Sequence, residues 1–411
     1  MNQSNLKKLQ NLLKEKDIDI FVINRSDEYL NEYISPNAER LNFITNFSGS
    51  AGRAIITPTD AFLYVDGRYT FQANTQINAK EIQPKHLNSF WTDLEKILLE
   101  AEYKIALDPT LHSIIEIEKV EKMLENSTSQ LQLIDKNFVD LIWENQPKTQ
   151  YTDIFDHPTN FAGQGRSEKL DILKKFLDQN EIDHYFVSGL DNIAWLLNLR
   201  ADDIKYTPLL YSYLLISKNN KHSLYIKESS MPEILKKEIQ TLININNIEN
   251  IGSIFNNINS SESIGLDFNS TTFYFLDLLR KQKINTKNLA NPCILLKAIK
   301  NETELDGAKK AHIRDGVSIT KYIYWLKNIM DPKSNDEISV AHHLENLRRK
   351  NELFHSLSFD TISAIDKNAA LPHYRVTEEG KSSFSDNNIY LVDSGGQYFD
   401  GTTDITRTII L

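Results

Sequence analysis

At 411 residues the chain exceeds what one hydrophobic core supports, about 250–300 residues, so two or three domains are expected. Its 40% hydrophobic and 25% charged content excludes collagen-like, fibrous and extensively disordered classes. The formal net charge of -10 argues against broad nucleic-acid binding, which needs clustered cations; Lys7-Lys8 and Lys309-Lys310 read as solvated helix faces.

From the start, Leu6, Leu9, Leu12 and Leu13 form a helical stripe that runs into a strand after Ile18-Asp19. Met1 to Asn5 has no apolar core of signal-peptide length, and no apolar stretch approaches a membrane span. No membrane partner and a cytoplasmic location are therefore expected. Ala54-Ile55-Ile56 and Phe62-Leu63-Tyr64-Val65 flank Pro58-Thr59-Asp60, a strand–turn–strand signal. Asp66-Gly67-Arg68-Tyr69 follows; Arg68 reads either as half of a structural ion pair or as lining the mouth of a cleft.

The same plan returns from Ser167, with Leu170, Leu173, Phe176 and Leu177 as the stripe and Ile182-Asp183 at the matching point. Leu209 to Ile216 and Ser223 to Ile226 then flank the polar turn Lys218–Lys221. Asp191, Trp195 and Arg200 read as packing and interface residues. The polar, proline-bearing stretch Asn145 to Gly165 is expected to be a linker, and Asn288 to Pro292 a second break. The expected architecture is α/β (α+β), with domains at 1–150, 151–290 and 291–411. Cys293, the single cysteine, forbids an internal disulfide and fits a reducing compartment. In its apolar run it reads as a buried structural thiol rather than a nucleophile.

In the third region Asn301 and Glu304 form a capping-box signal. The helix behind it is expected to bury Leu305, Ala308, His312, Ile319, Ile323 and Leu326. Ser334 and Glu337 repeat the signal before a helix bearing Ile338, Ala341, Leu344 and Leu347.

Residues 388–411 carry the chemistry. Ile389, Leu391 and Asp393 alternate with Tyr390 and Val392, and Thr402, Asp404, Thr406 and Thr408 alternate with their neighbours. A hairpin through the intervening glycine turns brings Asp393 beside Asp404. Two such carboxylates force one to hold a proton unless a cation compensates them, and hard oxygen donors suit Mg, Ca or Mn. The alternative is that one Asp caps a turn and the other is exposed. His373, in Ala370-Leu371-Pro372-His373-Tyr374, reads from its neighbours as a satisfied, buried histidine.

The wording Asp393-Ser-Gly-Gly-Gln-Tyr, then Asp400-Gly-Thr-Thr-Asp404-Ile-Thr-Arg-Thr, resembles the metal-binding signature of the pita-bread metallopeptidases. Its particular form is similar to aminopeptidase P of the large, three-domain type. Residues 40–56, 66–73, 190–204, 312–326 and 358–374 carry the same resemblance, which runs from about Ile18 to the last residue. It implies two tandem creatinase/prolidase N-terminal-like α/β domains followed by the first part of a pita-bread catalytic domain. It also implies a proline-containing peptide substrate, two divalent metal ions with manganese expected, and a homodimer. Asp393 and Asp404 would be metal ligands, and His373 would contact substrate and assist proton transfer. The family usually has a glycine within the stretch matching Ser363 to Asn368, which this chain lacks.

In the family one His and two Glu complete the metal site, all after the second Asp. This sequence extends seven residues past Asp404, and none of its ten histidines lies there. The 411-residue chain alone is therefore expected to be inactive, while the complete protein would release the N-terminal residue from Xaa-Pro peptides. A non-catalytic peptide-binding or scaffold protein is the rival from another class. Prolidase and creatinase, with one front domain, are disfavoured by the tandem repeat.

Overall fold

The computed structural model describes residues 4–385 and 387–411; Met1 to Gln3, on which part of the leader reading rests, lie outside them. A helix over Asn5–Glu15 opens the chain, with the Ser4 hydroxyl accepting from the Lys7 N–H at 3.3 Å. Leu6, Leu9 and Leu13 are buried and Leu12 packs at the core's edge. The first sheet follows: β1 (Ile20–Asn24), β2 (Arg53–Ile56), β3 (Ala61–Val65), β4 (Gln83–His86), β5 (Lys104–Leu107) and β6 (Gln130–Leu133). Its spatial order is β4-β3-β2-β1-β5-β6, with β1-β2-β3 antiparallel and the flanking pairs parallel.

The second unit repeats this. Its helix is Arg166–Gln179, burying Leu170, Leu173 and Leu177. A two-residue strand β7 (Phe155–Asp156) precedes it; then come β8 (His184–Val187), β9 (Leu199–Arg200), β10 (Tyr213–Ser217), β11 (His222–Ile226), β12 (Ile243–Asn247), β13 (Ser263–Leu266) and β14 (Asn285–Asn288). The order β12-β11-β10-β8-β13-β14 has the same pattern of parallel and antiparallel pairs as the first sheet. The stretch expected to be a bare linker instead holds β7, paired with β9, and a short Thr159–Ala162 helix. A two-residue strand has no periodicity to betray it. Cys293 is free and fully buried, and burial pushes its thiol up to about 12, so it is no nucleophile.

The two units meet at equivalent points. Ser113 and Thr272, which precede the matching helices Ile114–Leu124 and Phe273–Lys281, form an antiparallel bridge. Ile114 N–H donates to Thr271 O and Phe273 N–H to His112 O, both at 3.0 Å. A second matched pair runs from Ile115 N to Phe268 O at 3.2 Å and from Tyr274 N to Pro109 O at 2.9 Å. One continuous apolar cluster spans both units, from Ile20 and Ile105 to Phe186, Phe255 and Phe275.

The third unit begins with the long helix Glu302–Asn328, whose capping box joins Asn301 and Glu304. The face expected to be buried is wrong in part. Leu305 and His312 are exposed, and the buried line is Gly307, Ala311, Asp315, Ser318, Ile319, Tyr322 and Leu326. Asp315 forms a fully buried ion pair with Arg348 at 2.7 and 3.0 Å, so a charge takes a core position that an apolar stripe cannot reveal. In the next helix, Glu337–Arg348, Asp336 rather than Ser334 is the cap, and Glu337 turns inward and is fully buried. β15 (Phe354–Leu357), β16 (Ile362–Ile365), β17 (Ile389–Ser394), β18 (Gly396–Tyr398), β19 (Gly401–Thr402) and β20 (Ile405–Ile410) complete the chain in two three-stranded sheets, β15-β18-β19 and β16-β17-β20.

Candidate functional site

The expected hairpin is formed by β17 and β20, but the ten residues between them leave to join the other sheet. Asp393 pairs across from Thr406, which places Asp404 diagonally opposite on the same face. The turn works because Gly395 touches the other strand: any Cβ there would overlap the Thr403 carbonyl oxygen. The Thr403 hydroxyl accepts from the Gly396 N–H at 3.0 Å, tying the two ends together. Asp393 is half-buried, and its Oδ1 is buried without a hydrogen-bond partner. Asp404 is exposed, yet its carboxyl is raised above the ordinary 3.8 by desolvation and then by the neighbouring Asp393 charge. An orphaned carboxylate oxygen beside a strained second carboxyl is the donor set a hard cation fits. Among the described residues, no group of three or more His, Cys, Asp or Glu is placed to hold a metal ion.

His373 lies beyond a short helical turn over Asp366–Ala370 that follows β16. The turn starts at Asp366, whose φ of 47° lies in the left-handed region, within the stretch Ser363 to Asn368 where the resemblance leads one to expect a glycine. Aspartate is among the few residues other than glycine that enter that region. Here its carboxylate accepts from Asn388 Nδ2 at 2.6 Å and from Ile389 N–H at 2.8 Å, fastening the turn to β17. The buried Glu337 carboxylate fixes the rest. It accepts from Ile365 N–H (2.6 Å), Ser382 N–H (2.8 Å), the Tyr374 hydroxyl (2.9 Å) and Asn368 Nδ2 (3.0 Å). The residue next to His373 is thus held from beneath. Glu337 was legible only as a capping partner, because nothing in its neighbours marks it as buried.

His373 itself is half-buried, with Nδ1 2.6 Å from the Tyr69 hydroxyl of the first unit. Arg68 bonds Asp66 through two contacts at 2.6 and 3.0 Å, and its side chain is 49% exposed. The guanidinium holds Asp66 below the usual carboxylate range. A cavity of about 1020 Å³ opens between all three units. Its walls include Arg25 and Tyr33 of the first, Asp203 and Tyr206 of the second, and His342 and Arg375 of the third; Arg68, His373, Asp393 and Asp404 are not among its lining residues. Asp360, on its wall, bonds the Tyr206 hydroxyl and pairs with Arg375 at 2.8 Å, so the second unit also grips the His373 segment. Asp191 pairs with Lys297, Trp195 packs at the second core, and Arg200 donates to the Ala194 and Leu199 carbonyls.

Comparison with known proteins agrees with the three-unit fold. Residues 5–136 and 145–304 each match a model of the creatinase/prolidase N-terminal domain, and residues 306–411 match metallopeptidase family M24. A probable Xaa-Pro aminopeptidase P of Paracoccidioides brasiliensis is 34% identical over 426 residues, covering 98% of this chain and 68% of the relative. The chain belongs to the Xaa-Pro aminopeptidase P family. The Neosartorya fischeri member is 36% identical over 421 residues, covering 98% of this chain and 64% of its own length. An X-prolyl aminopeptidase of Caenorhabditis elegans, a cytosolic enzyme with a di-nuclear active site, superposes with a TM-score of 0.91 at 27% identity. That match covers 98% of this chain and 69% of the worm enzyme. The family assignment makes the third unit a metallopeptidase domain. No helix among the described residues is long and apolar enough to cross a membrane.

Proposed function

We propose that the protein is a metal-dependent aminopeptidase that releases the N-terminal residue of peptides with proline in second place. The observation that carries this is the meeting of Asp393 with Asp404 at the β17–β20 junction of an M24 domain, one oxygen left without a donor. These two residues would hold part of a two-ion centre, with manganese the expected metal. When bound, such a centre polarises the scissile carbonyl and lowers the pKa of a water for attack. The chain's own contribution is positional. Asp393, fixed between β16 and β20, and Asp404, fixed by the Thr403 turn, present oxygens on one face. His373, on its Glu337-anchored loop, contacts substrate and moves a proton. Arg68 is assigned a supporting role at the mouth of the cleft, through Asp66 and the ring of Tyr69, 5.6 Å away. The domain division at 1–150, 151–290 and 291–411 belongs to the same reading, supported by two sheets and a third core that fall within those limits. So do a cytoplasmic location and a homodimer.

With two of five ligands, the 411-residue chain by itself is proposed to bind manganese weakly and to be inactive. The test is release of the first residue from an Xaa-Pro peptide, with and without manganese, by this chain and by the whole product of its gene. We expect metal-dependent release from the latter only, lost in Asp393→Asn and Asp404→Asn. Release by the 411-residue chain would refute its inactivity; equal cleavage of a peptide lacking proline would refute the specificity.

A further inference from the structure

We infer that Tyr69, together with Ser50, is a positioning residue for His373, holding one tautomer of its imidazole from across a domain boundary. Both belong to the first unit, 304 residues before His373 in the case of Tyr69. The Tyr69 hydroxyl lies 2.6 Å from His373 Nδ1 and 2.5 Å from Ser50 Oγ, so three polar groups form one chain. Tyr69 is 2% exposed, and its place is fixed by packing. Phe47 meets its ring edge-on at 5.6 Å, and the His373 ring meets it edge-on at 5.2 Å. Gly49 permits this, because a Cβ there would stand 2.8 Å from the Tyr69 ring.

A neutral imidazole has one donor and one acceptor nitrogen, and the partner of one nitrogen decides the state of the other. Ring nitrogen is the better acceptor of the pair and phenol the better donor. The chain therefore runs from the Ser50 hydroxyl to the Tyr69 oxygen, and from the Tyr69 hydroxyl to Nδ1. Nε2 is left carrying the proton. The inference rests on the proposed role of His373: a histidine that must meet substrate with N–H gains from a partner that excludes the other tautomer. It also gives the first unit a part in the site that its distance in sequence conceals. Closure of that unit against the third would set the imidazole as well as narrow the cleft.

The test is ¹⁵N NMR of imidazole-labelled protein, read above the titration of the free imidazole. The full 411-residue chain is used, and no metal is added. We expect His373 to show an acceptor Nδ1 and a protonated Nε2. Tyr69→Phe keeps the ring against Phe47 and removes only the hydroxyl; it should collapse that pattern to a tautomer average. Ser50→Ala should shift it partway. The other nine of the ten histidines should be unmoved, which reports that the fold is intact. A protonated Nδ1 in the unaltered chain, or an unchanged His373 pattern in Tyr69→Phe, overturns the inference. The signal does not depend on turnover, so failure of the peptidase reading and failure of this one are seen separately.

Discussion

Lys169 is 1% exposed, and its ammonium donates to the Trp195 carbonyl oxygen and to Asn198 Oδ1, both at 2.8 Å. Burial lowers its pKa from 10.5 to about 8, with Glu304 opposing and Arg200 adding to the fall. The sign follows from proton counts. Between about 8 and 10.5 the unfolded chain holds the proton that the folded chain has lost, so stability rises with pH there. Below about 8 both states are charged and the fold carries the full cost of the buried ammonium. Urea unfolding at about pH 7.5 and about pH 10 should show the native chain gaining on Lys169→Met by on the order of 2 kcal/mol. A difference that stays flat across the window would mean the amine is not depressed. The buried pair Asp315–Arg348 behaves otherwise, since each charge has its partner. Arg348→Ala strands Asp315 with only the Tyr398 hydroxyl, 2.9 Å away, and should cost about 3–5 kcal/mol by the same measurement. Neither residue was legible as core. An aspartate on a helix and an arginine at its neighbour's end look solvated until the two helices are packed together. Asp366 was half-legible: the missing glycine marked only the stretch Ser363 to Asn368, and the bonds to Asn388 and Ile389 that fasten the turn come from 22 and 23 residues away.

Between β16 and β17 the chain makes a long excursion that carries His373, and the Glu337 carboxylate bonds it at Asn368, Tyr374 and Ser382. Glu337→Ala takes the carboxylate acceptor from the N–H groups of buried Ile365 and half-buried Ser382, each worth about 1–3 kcal/mol. A loss of about 3 kcal/mol or more is expected, with amide exchange rising over residues 366–382 before it rises in β17. Glu337→Gln keeps one acceptor oxygen and should recover part of that protection. Uniform exchange across the third unit would place Glu337 in general core stability instead. Elements built on apolar period were legible: the Asn5–Glu15 and Arg166–Gln179 helices, the β2–β3 and β10–β11 pairs, and the strands around Asp393 and Asp404. The elements that grip the site were not, because their contacts are polar and distant in sequence. Tyr69 ends the motif Asp66-Gly67-Arg68-Tyr69, and nothing beside it points to a histidine in another domain. The excursion of 395–404 into a second sheet likewise depends on the long helix: a Cβ at Gly307 would overlap the Asp400 carbonyl oxygen, and Gly401 lies against Ala308.

At the scale of the whole molecule, the repeat legible in two leucine stripes becomes a pseudo-twofold pair that shares one apolar cluster beside a further cluster in each unit. Ser113 and Thr272 occupy corresponding places, and the paired hydrogen bonds around them are what a local twofold axis produces. Tyr29 of the first unit, half-buried against the common cluster, stacks on Tyr211 at 5.2 Å and on Tyr213 at 4.7 Å of the second. The third unit's core, around Ile319, Tyr322, Leu344 and Tyr390, is a separate cluster. A continuous apolar core unfolds as one cooperative unit, whereas cores joined through polar contacts need not. Calorimetry should therefore show the two front units melting in one transition. Tyr29→Ala should lower that transition by removing on the order of 2 kcal/mol of packing while the third unit's signal stays in place. Two resolved front transitions in the unaltered chain would mean the shared cluster is contact without cooperativity. A single front body would hold both grips on the third unit at once, because Tyr69 bonds His373 and Tyr206 bonds Asp360 from different units. Were those units free to shift against each other, the grip on His373 and the grip on Asp360 could not be set together.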